Sequence, residues 1–89
     1  MKALQEISKL VRDIKNETEI EMFFKELLTE SEIDVLSKRW RILEMLNQGK
    51  TQREIAKELQ VSLCKVTRGA KILKNKSSML AKYMAKIYK

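Results

Sequence analysis

Ser62, Lys65, Arg68, Lys71 and Lys74 recur at three-residue intervals, and no acidic residue interrupts them. On a helix they occupy its outer side, where hydroxyls and cations can bind an anion but cannot break a bond. That inventory suits the major groove of DNA. There, phosphate contacts set position and side chains near a helix N-terminus read base edges. The bland alternative is an ordinary solvated amphipathic helix. Other chemistries find no set of residues: histidine is absent, Cys64 is the single cysteine and serves as a small helical residue, and no glycine-rich phosphate loop exists. The carboxylates fall on exposed helical positions and the serines and threonines read as caps, so neither an enzyme nor a metal site is expected.

The stretch TQREIAKELQVSLCKVTRGAKILK, residues 51 to 74, must position that surface. Thr51 caps a helix and Glu54 returns the bond to the Thr51 amide, a reciprocal capping box. Ile55, Ala56 and Leu59 share one face, and Ala56 keeps the contact small enough for two helices to cross steeply. After a break at Gln60 and Val61, Ser62 caps a second helix that turns Leu63, Val66, Ala70 and Leu73 inward. This is a helix-turn-helix pattern with Gln60 where a glycine is usual.

The chain has 89 residues and 10.5 kDa, enough for one small domain that buries little apolar surface by itself. Apolar content of 44% with no proline and two glycines points to an all-α fold. Neither a twenty-residue apolar run nor a signal-peptide pattern occurs, and a cytoplasmic location without a membrane partner is expected. Residues 1 to 49 hold eight Lys/Arg against ten Asp/Glu, a net −2, whereas residues 50 to 89 hold eleven against two, a net +9. Segregated charge of this kind implies a polyanion partner, nucleic acid or an anionic membrane surface.

Upstream, residues 3 to 15 put Leu4, Ile7, Leu10, Val11 and Ile14 on one stripe. Thr18 with Glu21 forms a second possible capping box before a short apolar helix that must be buried, and Thr29 with Glu32 opens the longest helix. That helix runs to Gly49, which fits a left-handed cap. Its apolar residues cover more than one face. The surplus reads as a homodimer interface within a dimerisation core over 1 to 49, against a compact four- or five-helix core as the alternative. A last helix over 78 to 88 carries Met79, Leu80, Tyr83, Met84 and Ile87 as packing residues, with Lys82, Lys86 and Lys89 outside.

The segment KRWRILEMLNQGKTQREIAKELQVSLCKVTRGAKILK, preceded by LLTESE, resembles the bacterial Trp repressor family over roughly residues 18 to 88. The resemblance implies an intertwined all-helical homodimer whose helix-turn-helix heads meet successive major grooves of a palindromic double-stranded operator. It also implies L-tryptophan as corepressor, held between head and core. Arg39 and Arg68 would sandwich the indole, with Arg68 reaching the carboxylate. Leu28 and Thr29 of the partner chain would meet the amino-acid end, and Gly69 would leave room for the ring. Guanidinium planes suit an aromatic face and helix-end carbonyls suit an ammonium group. Taken alone, Arg39 suits pairing with Asp34 or packing beside Val35, and Arg68 suits a phosphate contact. Operator contacts would fall on Gln52, Arg53, Ser62, Leu63, Cys64, Lys65 and Thr67, with Lys71 on the same outer side. Two departures stand out: Ile72 replaces a serine of the best-known members, and the GKT connection is one residue shorter.

Three functional readings follow. The first is a tryptophan-gated repressor. The second is a related DNA-binding regulator that is constitutive or uses another ligand. The third is a basic module that binds nucleic acid or protein without sequence preference, for which the aromatics of single-strand readers are few.

Overall fold

A computed structural model describes residues 2 to 87. Six helices follow one another: α1 (Lys2–Asp13), α2 (Glu17–Leu27), α3 (Glu30–Asn47), α4 (Gln52–Leu59), α5 (Leu63–Lys74) and α6 (Met79–Ile87). Among the described residues there is no strand, as the composition requires. Met1 lies outside them, as do Tyr88 and Lys89, with which the sequence continues the pattern of its last helix.

The chain forms two compact units, Met1–Asp34 and Val35–Lys89. In the first unit, no side chain of α1 or α2 is buried. The expectation that α2 lies buried therefore fails in the single chain: Phe23 and Phe24 are half-buried, packed edge to face at 5.5 Å, but Leu27 and Met22 are each 53% exposed. The physical reason is supply, since this chain provides too little apolar surface to cover both faces. The cap of α2 is also not Thr18. Asn16 accepts the Glu19 amide at 2.9 Å, starting the helix two residues earlier and leaving Thr18 in its first turn. The capping box at Thr29 and Glu32 forms in both directions, at 2.9 and 3.1 Å.

The second unit holds the core. Ile42 and Met45 from α3, Ile55 from α4 and Val66 from α5 are buried together, with Leu46, Ala56, Leu59 and Val61 packed against them. Val35 and Leu36, at the start of this part of α3, remain exposed. Gly49 adopts φ +90, and two amides, Gly49 N to Leu46 O and Lys50 N to Met45 O, close a Schellman end on α3. On α6 only Met84 is buried, while Met79, Tyr83 and Ile87 are exposed. The packing expected of all five apolar residues is thus met by Met84 and in part by Leu80, because α6 rests against α5 along one face.

Candidate nucleic-acid interface

The pair α4 and α5 forms as its sequence dictates. Thr51 and Glu54 complete the capping box, with Thr51 N donating to Glu54 Oε1 at 3.1 Å and Glu54 N to Thr51 Oγ1 at 3.2 Å. Hydrogen bonding by the Thr51 hydroxyl and amide holds the Glu54 carboxyl below the usual carboxylate range, and Lys50 adds to the shift. Lys50 itself reaches Glu58 at 3.0 Å, tying the short connection to the helix it precedes. At the other end Gln60 is left-handed, φ 56 and ψ 48, the conformation for which glycine is usual. Its amide and that of Val61 satisfy the last carbonyls of α4, and half-buried Val61 packs against the core beside them. Glutamine in place of glycine points to a turn of unusual shape, but Gln60 adopts the left-handed conformation that glycine usually supplies.

Ser62 then caps α5 by accepting the Lys65 amide. Ser62, Cys64, Lys65, Arg68 and Lys71 are all exposed on α5, and Arg53 is exposed on α4. Leu63, which the helical pattern turns inward, is instead 46% exposed and joins this outer surface. Val66, three residues on, is fully buried instead. No acidic residue follows Glu58 in the sequence, so neither α5 nor the described part of α6 carries an internal countercharge. Gln52 and Thr67 are half-buried and joined: Thr67 Oγ1 donates to Gln52 Oε1 at 2.8 Å. Sequence spacing cannot reveal that bond, which depends on how the two helices cross.

Arg39 and Arg68 are both exposed and belong to the same unit. Arg39 stands one turn before Leu43 on α3, and Arg68 immediately precedes Gly69 on α5. Gly69 is buried where α5 meets α3: a Cβ built there would lie 2.8 Å from Ile42 Cγ2, with Leu46 and Leu43 next. Its lack of a side chain lets the two helices approach. Leu28 ends α2 with extended backbone and Thr29 begins the cap of α3, both in the first unit. Ile72 is half-buried one turn after Arg68.

Among the described residues, six helices, a capped helix pair and an exposed cationic face on α5 define an all-helical protein. The chain belongs to the Trp repressor protein family, whose profile matches residues 2–88. Proteins named Trp operon repressor homolog are similar to it. One from Xylella fastidiosa is 36% identical over 69 residues, 76% of this chain and 75% of that protein. One from Photobacterium profundum is 33% identical over 86 residues, 96% and 84% respectively. A third, from Vibrio campbellii, is 36% identical over 74 residues, 82% and 74%. The family is one of regulators and not of enzymes, and no helix among the described residues is long and apolar enough to cross a membrane.

Proposed function

We propose that the protein is a cytoplasmic, homodimeric transcriptional repressor that binds a palindromic DNA operator through α4 and α5 and is gated by L-tryptophan. The observation that carries this reading is the outer surface of α5, with exposed Ser62, Lys65, Arg68 and Lys71 on a helix anchored by Val66 and Gly69. The exposed Leu4, Leu10, Met22 and Leu27 supply an apolar surface suited to a second copy. Tryptophan would lie between Arg39 and Arg68, with Leu28 and Thr29 of the second copy at its amino-acid end. Binding there couples to DNA because only the ordered pair of heads matches groove spacing.

Isothermal titration of L-tryptophan, with indole-3-propionate and L-phenylalanine as controls, tests the gate. The expected result is saturable binding at one ligand per chain, abolished by Arg68→Ala and retained by Lys65→Ala, which alters operator affinity instead. Equal loss of ligand binding in both variants would contradict this division of labour.

A second reading, a DNA-binding regulator of the same family without tryptophan, is favoured by the surroundings of Gly69. Ile42 fills the space beside it, and apolar Ile72 offers no hydrogen bond to an ammonium group. Operator affinity unchanged across a tryptophan titration would select it.

A further inference from the structure

We infer that Lys50 and Glu58 are positioning residues, an ionic latch over the connection between α3 and α4 that fixes how the α4–α5 pair meets duplex DNA, an inference that rests on the DNA-binding reading above. Lys50 Nζ lies 3.0 Å from Oε2 of Glu58, eight residues on and in the last turn of α4. The Lys50 amide donates to Met45 O at 3.2 Å, so this residue is held by its backbone at the end of α3 and by its side chain at the far end of α4. Glu54 stands one turn before Glu58 on the same face, and after the larger effect of Thr51 the Lys50 charge helps to lower its carboxyl. That agrees with an ammonium lying along the outer side of α4.

Packing does not restrain the connection at Gly49, where an added Cβ would meet nothing within 4 Å. The core holds the inner side of the helix pair through Ile42, Met45, Ile55 and Val66. Apolar contact is non-directional, however, and sets how closely helices approach better than how they rotate. An ion pair on the outer side adds a restraint on direction. Its side chains are 37% and 56% exposed, so the restraint is modest. It matters because several side chains must meet the duplex at once, from Arg53 on α4 to Lys71 on α5, and a rotation of the pair misplaces all of them together.

Two measurements test the inference. In the first, wild type, Lys50→Met, Lys50→Arg, Glu58→Gln and the double variant Lys50→Met/Glu58→Gln are titrated with a fluorescein-labelled mixed-sequence duplex at low salt, with L-tryptophan present. Thermal unfolding of each variant serves as the control for folding. The double variant keeps the net charge of wild type but has no ion pair, and it should bind roughly two- to fivefold more weakly, the range that one exposed pair supplies. Glu58→Gln should not tighten binding although it removes a negative charge, and Lys50→Arg should retain affinity. Wild-type affinity in the double variant would overturn the inference, since the two residues would then act through charge alone. Tighter binding by Glu58→Gln, with a slope of log affinity against log salt smaller by about 0.9 in both Lys50→Met variants, would also overturn it, because Lys50 would then meet a phosphate itself. In the second measurement, the Lys50 amide of the free protein should exchange with solvent faster in the double variant, while the Ile55 amide is unchanged. Equal exchange at Lys50 would show that the pair does not hold the connection. A wild-type protein without duplex affinity, but with the Lys50 exchange difference, would overturn the DNA reading and the positioning role with it while leaving the latch in place.

Discussion

Gly69→Ala should destabilise the protein although it improves the local helix. The added Cβ would sit 2.8 Å from Ile42 Cγ2, whereas ordinary contact begins at 3.4 Å, so atoms must part by about 0.6 Å. Ile42 has little room to retreat, being 2% exposed and packed with Met45, Ile55 and Val66. Overpacking of this kind costs about 1–3 kcal/mol, against a propensity gain of about 1 kcal/mol for alanine over glycine inside a helix. The net loss is about 1 kcal/mol, which lowers Tm by about 4–8 °C in a domain of this size. Circular dichroism melts at one fixed protein concentration measure it, because self-association would otherwise move the midpoint. The diagnostic step repeats Gly69→Ala in an Ile42→Ala background. With the opposing methyl gone, the same substitution should stabilise by about 1 kcal/mol, a coupling of about 1–3 kcal/mol. Ile42→Val retains Cγ2 and should leave the clash in place. The reasoning fails if Gly69→Ala is stabilising in the wild-type background and additive with Ile42→Ala.

Gln60→Gly should raise stability by about 0.5–1 kcal/mol, since glycine accepts the left-handed turn without the Cβ penalty but gains freedom in the unfolded chain. Denaturant titration checks this, and β-branched Gln60→Val should move the midpoint the other way. Glu54 has its carboxyl lowered by Thr51, so the stability from the capping box is present above the ordinary glutamate range and is lost as pH falls through the lowered value. In Thr51→Ala the Glu54 titration, followed by NMR, should move up toward the unperturbed value of about 4.3, and an unchanged titration would count against the box. Replacing Lys65 and Lys71 by glutamine should flatten the dependence of log affinity on log salt by about 0.9 for each phosphate contact removed. An unaltered slope would take those lysines off the phosphate backbone.

Local chemistry was the most legible part of the sequence. The boxes at Thr29 and Thr51 and the caps at Ser62 and Gly49 depend on residues a few positions apart, and all four form. Thr18 misled because Asn16, an equally strong cap, stood two residues earlier. Burial was less legible. A helical stripe says which residues can face inward but not whether anything waits there, and Leu63, Leu27 and Met79 are exposed for lack of a neighbour in the single chain. The Gln52–Thr67 bond and the contact of Gly69 with Ile42 arise from how helices cross, which spacing along one chain does not encode.

The absence of buried side chains from α1 and α2 sets an order in which the molecule comes apart. Helices of twelve and eleven residues are marginal when only their own backbone bonds hold them, and in the lone chain these two have little else. Their amides should exchange with solvent through local opening at almost no free-energy cost, while those around Ile55, Val66 and Met84 wait for the whole second unit to open. Protection of α1 and α2 is then a property conferred by whatever covers them. The rate at which their amide protons are lost becomes a gauge of how fully the molecule is assembled.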